Sequence, residues 1–119
     1  MDGLKKENIV RDKSYQFALK IIELVKKFPQ RNEGYVIGRQ LLRAGTSIGA
    51  NIEEAIAAFS KQDFIYKMSI ALKEARETHY WLRLIRDSNV IPEDVNEVIE
   101  EAHELVKILT SIVKTSQNK

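Results

Sequence analysis

The spacing of apolar side chains limits this chain more than any other property. Phe64, Met68, Ala71, Ala75, Thr78, Leu82 and Ile85 recur at alternating steps of four and three, a heptad pattern kept over three repeats. Such spacing places every member on one face of an α-helix and on neither face of a strand. Three other segments share the period. Phe17, Ala18, Ile21, Leu24, Val25 and Phe28 stripe residues 11–28. Ile37, Leu41, Ala44, Ile48, Ile52, Ala55 and Phe59 stripe residues 35–59. Val95, Val98, Ala102, Leu105, Leu109 and Ile112 stripe residues 92–115. No segment alternates with period two. Each stripe must be buried against another, so four helices of about 18–27 residues predict an antiparallel up-down-up-down four-helix bundle, all-α.

The punctuation agrees with the stripes. Pro29 disfavours helix in the residue before it, and "PQRNEG" reads as a loop. In "SKQD", Ser60 can accept a backbone N–H and Asp63 suits the positive helix terminus, so the third helix is expected over 61–87. "DSNVIP" ends it, and Pro92 with Glu93 and Asp94 suits the first turn of the fourth. The tail "KTSQNK" is expected to fray. At 119 residues the chain reads as one domain over 1–119, large enough for a core of its own.

One stretch resists the helical reading. "RAGTSIGANIEEA", Arg43 to Ala55, holds two glycines, a threonine, a serine and an asparagine. Each Gly costs roughly 1 kcal/mol in a helix interior, and the others a few tenths. The stripe nevertheless passes through them in register, which a loop would have no reason to preserve. Gly45 and Gly49, one turn apart, are expected to admit a second helix closely enough for packing to offset their propensity.

Composition excludes several classes. There is no cysteine, hence no disulfide and no thiolate metal site. No apolar run reaches the ~18 residues of a membrane span, and the start resembles no signal peptide, so a cytoplasmic protein is expected. The net charge of +2 does not announce a nucleic-acid binder. Its distribution is uneven: residues 1–43 carry ten basic and five acidic side chains, whereas residues 87–106 carry seven acidic and no Lys or Arg. The acidic strip fits a solvated helix face, or a face that docks on a basic surface such as a neighbouring subunit.

Apolar residues also exceed the stripes. Trp81, Tyr80, Tyr66, Leu84, Ile99, Val106 and Val113 either widen the core or form a subunit interface, and the pattern does not choose.

Three polar constellations bear on function. Arg39, Arg43, Ser47, Asn51 and Glu54 climb one side of the second helix, and Glu74 and Glu77 face them from the third. The preferred reading is a polar network that fixes helix register, with Ser47 and Asn51 answering Arg43, Glu54 and the carboxylates across the close contact. The alternative is a small-ligand or metal site on Arg43, Asn51, Glu54 and Glu77. Glu100-x-x-His103 has the spacing of di-iron bundles, but such sites need two of these motifs, and His79 has Arg76 where a carboxylate would stand, so no metal is expected. Two histidines, no cysteine and no phosphate loop with its lysine leave no catalytic residue and no cofactor to assign. Finally, Lys61, Lys67, Lys73, Arg76, Arg83 and Arg86, with Tyr66 and Tyr80, offer a phosphate-tracking face with stacking groups. A solvated helix face is the better reading for one copy, but a ring would repeat the patch several times.

The stretch from Phe17 to Ile91 resembles the four-helix bundle family encoded in intervening sequences of bacterial 23S ribosomal RNA genes. The resemblance rests on Phe28, Pro29, Gln40, Arg43, Ala44, Ser47, Ile48, Asn51, Ile52 and Glu54, and on Glu77 in the third helix. Ala55 departs from the family's usual Gly and Glu74 from its frequent Ser. The resemblance implies an up-down bundle that assembles as a homopentameric ring. It also implies kinship with the basic pentameric accessory protein of diversity-generating retroelements, which works with a reverse transcriptase and nucleic acid. Members are often labelled a small ribosomal protein. The expected function is a non-enzymatic, ring-forming scaffold associated with RNA or a nucleoprotein.

Overall fold

In the computed structural model, residues 2–118 are described, with side chains from residue 6 onward. Four helices account for most of them: α1 Asp2–Val25, α2 Asn32–Ile56, α3 Lys61–Ser88 and α4 Asn96–Gln117. There is no strand among the described residues. The molecule measures 46 × 22 × 19 Å, the length that a 28-residue helix nearly fills at its usual rise.

Each helix packs on its neighbours in sequence, and α1 closes on α4, while the diagonal pairs α1–α3 and α2–α4 bring no Cα atoms within 8 Å of each other among the described residues. Consecutive helices run antiparallel. Going back along the chain from Phe28, just past α1, through Ile21 to Ser14 meets Gly38, Gly45 and Gly49 of α2 in ascending order. The fold is the up-down-up-down bundle that the stripes predict. Its centre is filled by Ile21, Leu41, Ile48, Ile52, Met68, Leu82, Ile85 and Leu109, all of them fully buried. Each such side chain contributes roughly 1.5–3 kcal/mol on leaving water.

The helix ends depart from the predicted ones for local reasons. α1 begins well before Arg11 and ends at Val25, where Lys27 and Phe28 donate back to Leu24 and Val25 three residues earlier and tighten the last turn. Phe28 is still buried, against Gly38. α2 ends at Ile56, so Phe59 is outside it and wholly exposed, not part of the core stripe. The cause lies one residue on. Ser60 caps α3 by accepting the Asp63 N–H at 3.0 Å, which requires an extended backbone and breaks the helical path before it. α4 begins at Asn96 rather than Pro92, because the Asp94 carboxylate accepts the Asn96 N–H at 2.9 Å and sets the start there. Asn89 ends α3 in the left-handed region, φ 55°, a conformation asparagine tolerates.

The extra apolar residues divide. Ile99 and Val113 are buried and Val106 is half-buried, so that row widens the core. Tyr66, Tyr80 and Leu84 stay exposed on the outer side of α3.

The α1–α4 contact is built differently from the other three. Lys6, Lys13 and Lys20 on α1 and Lys27 in the turn after it stand seven residues apart. Their ammonium groups reach Ser111 at 2.6 Å, Glu104 at 3.2 Å, Glu97 at 3.7 Å together with Glu101, and Glu93 at 3.8 Å. As the lysine numbers rise the partner numbers fall, the register of an antiparallel pair. The acidic strip of residues 87–106 is therefore neither simply solvated nor free for a partner. Much of it is docked on the basic helix of its own chain. Two shallow grooves of about 320 and 340 Å³ run beneath these side chains along α1.

The glycines of α2 face α1. A Cβ on Gly45 would lie 3.0 Å from both Cγ1 and Cγ2 of the buried Ile21, and one on Gly49 would lie 3.2 Å from the Ser14 hydroxyl. Gly45→Val is expected to destabilise the protein by about 1–3 kcal/mol, read as a lower urea midpoint at unchanged slope.

Candidate functional site

Between α2 and α3 the longest polar side chains meet. The Arg43 guanidinium donates from Nη1 to Glu74 Oε1 at 3.1 Å, from Nη2 to Glu77 Oε2, and from Nε to Gln40 Oε1 at 3.4 Å. The Trp81 indole N–H donates to the same Glu77 oxygen at 3.1 Å. Burial opposes the charge on Arg43, but its hydrogen bonds to the two carboxylates, with their charges, outweigh it and raise its pKa. Glu74 is buried and Glu77 partly so. Charge-assisted hydrogen bonds of this kind compensate much of the cost of taking a carboxylate out of water.

The remaining members of the predicted cluster lie elsewhere. The Ser47 hydroxyl donates to the Arg43 carbonyl at 2.7 Å, and the Asn51 amide donates to the Ser47 carbonyl at 2.9 Å. Both bonds stay within α2 and cross to no other helix. Glu54 pairs with Lys67 at 2.8 Å, nearer the other end of the interface. So the expected single cluster is a fork of Arg43 with Glu74, Glu77 and Trp81, one separate ion pair, and two side chains bonded to their own backbone. Nor does the fork share the glycine contact: the glycines face α1, and Arg43 faces α3. The signal for Trp81 was available, since it lies four residues from Glu77 on one helical face.

Three of the five guanidinium N–H donors of Arg43 are committed to Glu74, Glu77 and Gln40. Among the described residues, no group of three or more His, Cys, Asp or Glu side chains is placed to hold a metal ion. No described helix is long and apolar enough to cross a membrane.

The basic residues of α3 also divide. Lys61, Lys73, Arg76 and Arg83 are exposed, whereas Lys67 turns toward α2, where Glu54 holds it. Arg86 is exposed but pairs with Asp87 at 2.8 Å. Arg83 lies 5.9 Å from the centre of the Tyr80 ring, and Lys67 lies 5.9 Å from that of Tyr66. Cations over exposed aromatic faces can contact a nucleic-acid backbone and its bases together.

A family model described as the 23S rRNA-intervening sequence protein matches residues 6–111. The chain belongs to that family. Among solved structures it is similar to a protein of unknown function from the S23 ribosomal protein family of Bacteroides thetaiotaomicron, with 47% identity. That match covers 92% of this chain and 98% of the other, with a TM-score of 0.82. No curated protein matches the chain. The intervening-sequence family thus accounts for the fold, and what its member does must be argued from the surface.

Arg43→Ala is expected to cost about 1–2 kcal/mol in urea unfolding, because it leaves the buried Glu74 carboxylate without its charged partner. Arg43→Lys should recover only part of this, lacking the fork. Asn51→Ala should move stability by less than about 0.5 kcal/mol, since it removes one bond to a half-exposed turn of its own helix.

Proposed function

We propose that this protein is a non-catalytic helical scaffold of the cytoplasm that assembles head to tail into a closed homo-oligomeric ring and associates with structured RNA. The observation that carries the reading is a pair of exposed apolar stripes on two helices at opposite corners of the bundle. Tyr15, Leu19 and Ile22 stand out on α1, and Tyr66, Tyr80 and Leu84 on α3. α1 and α3 occupy opposite corners of the bundle, so a single copy cannot cover one stripe with the other. When the α1 stripe of one copy meets the α3 stripe of the next, the contact is heterologous, and such contacts close into rings when the rotation allows. Five copies is the number that the family resemblance implies.

The nucleic-acid half of the proposal is supported by Lys61, Lys73, Arg76 and Arg83, exposed on α3 beside Tyr66 and Tyr80. In one copy the patch is weak. A ring presents it several times on one particle, which multiplies affinity without any new contact.

Light scattering at micromolar concentration should report a particle several times the 13.7 kDa chain mass, and a monomer would end the ring proposal. Leu19→Asp and Leu84→Asp each alter an exposed side chain and should each give monomers. Mixed together they should form a dimer and nothing larger, because each keeps the stripe the other lacks.

Filter binding to a structured RNA should weaken steeply with salt, by roughly 0.7–0.9 in log–log slope for each phosphate neutralised. Arg76→Ala with Arg83→Ala should lower that slope and the affinity. A binding curve unmoved by salt would remove the RNA half and leave the ring intact.

A further inference from the structure

Arg76, His79, Arg83 and Arg86 follow one another along α3 at steps of three, four and three, a spacing that sets all four on one face. That face looks toward α4, because the ring centres of His79 and His103 lie 5.7 Å apart across the α3–α4 contact. At 3.6 residues per turn, Arg76 and Arg83 stand about a quarter turn around α3 from the line of Tyr66 and Leu84. A neighbour that covers the apolar stripe therefore leaves this row open. The antiparallel register that brings His103 to His79 also places Lys107, one turn further along α4, near the level of Arg76. Arg76, Arg83, His103 and Lys107 are exposed, and His79 is half-buried.

Positive charge is concentrated along this seam. Among the described residues no carboxylate is in ion-pair contact with Arg76, Arg83 or Lys107, unlike Arg86, which pairs with Asp87. Burial first, then the charges of Arg83, His103 and Arg86, hold His79 below the usual histidine range, so its ring is neutral near pH 7. Glu100 on α4 opposes these effects without cancelling them. α2 lies on the other side of α3, where Arg43 meets Glu74 and Glu77.

We propose that the RNA backbone lies along this α3–α4 seam, with Arg76, Arg83 and Lys107 taking phosphates, and that its binding takes up a proton within the His79–His103 pair. The inference rests on the RNA reading above and adds to it a location, a contact from α4 and a dependence on pH. In the free chain, a proton on either ring joins a cluster that is already positive. A phosphate laid across the pair supplies the opposite charge, and the bound state then favours the imidazolium. A group that holds its proton more tightly in the complex than in the free chain strengthens that complex as pH falls through the histidine range.

Filter binding of an RNA hairpin to the full chain, at pH 7.5 and 5.5 and constant ionic strength, should show tighter binding at the lower pH. A gain of about tenfold is expected, as a rise of one in the pKa of one histidine would give. His79→Gln with His103→Gln should keep the affinity at pH 7.5 and lose the gain at pH 5.5. Lys107→Ala, a change outside α3, should weaken binding at both pH values and lower the salt slope by about 0.7–0.9. Proton NMR of the parent's histidines, with and without the hairpin, reads the proton uptake directly and needs no variant to fold. An affinity and a histidine titration that do not respond overturn the proposal, as does a Lys107→Ala chain that binds like the parent. In both cases salt-dependent binding persists and the RNA reading stands. No binding at either pH removes both readings and leaves the ring.

Discussion

Four helices can share one core only if all four turn their apolar stripes inward together, and everything else in this structure accommodates that requirement. The buried stripe residues supply the larger energies. One fully buried Leu or Ile is worth roughly 1.5–3 kcal/mol, whereas an exposed ion pair is worth about 0.2–1 kcal/mol. The whole lysine ladder between α1 and α4 therefore amounts to no more than one or two core side chains. It does not hold α1 in place. Phe17, Ile21, Leu24 and Phe28, all buried, do that. What the ladder adds is selection, since lysines and glutamates at matched sevenfold spacing favour one register and one direction of α4 along α1.

The stripes made the fold legible because burial enforces a period on sequence, and a period survives local penalties. Gly45 and Gly49 show this well. Their propensity cost is local, while the close contacts with Ile21 and Ser14 are tertiary, and the unbroken register recorded the tertiary outcome. Ser60 was legible for a different reason: a cap is a short-range bond between a side chain and a backbone group three residues on. Phe59 was misread because periodicity alone cannot say where a helix stops. Its position in the stripe is correct, and the cap that follows it removes it from the helix.

The polar side chains were harder to read, and the reason is reach. Arg43 spans to α3 because its side chain is long, so placing it opposite Glu74 and Glu77 requires only that the helices be antiparallel neighbours. Ser47 and Asn51 are short, and a carbonyl of their own helix lies nearer than any group across the gap. A helical wheel puts all of them on one side and is silent on this competition. His79 and His103, with ring centres 5.7 Å apart across the α3–α4 contact, escape sequence reading for a related reason. His79 and His103 share no spacing along the chain, and become neighbours only because Thr78 and Ala102 point into the same core from facing helices.

The uneven charge carries the last step. A basic first third and an acidic last third could have signalled two binding surfaces facing outward. Instead, four of the seven acidic side chains in residues 87–106 meet Lys13, Lys20 or Lys27 of the same chain, and the exposed apolar stripes are left as conspicuous features. A helix needs one apolar stripe to join a bundle, and α1 carries a second, with Tyr15, Leu19 and Ile22 exposed to water. α3 does the same with Tyr66, Tyr80 and Leu84. Leaving two such stripes uncovered on opposite corners costs solubility and gains nothing for the isolated chain. In the proposed ring the α1 stripe of each copy would cover the α3 stripe of the next, burying both at once.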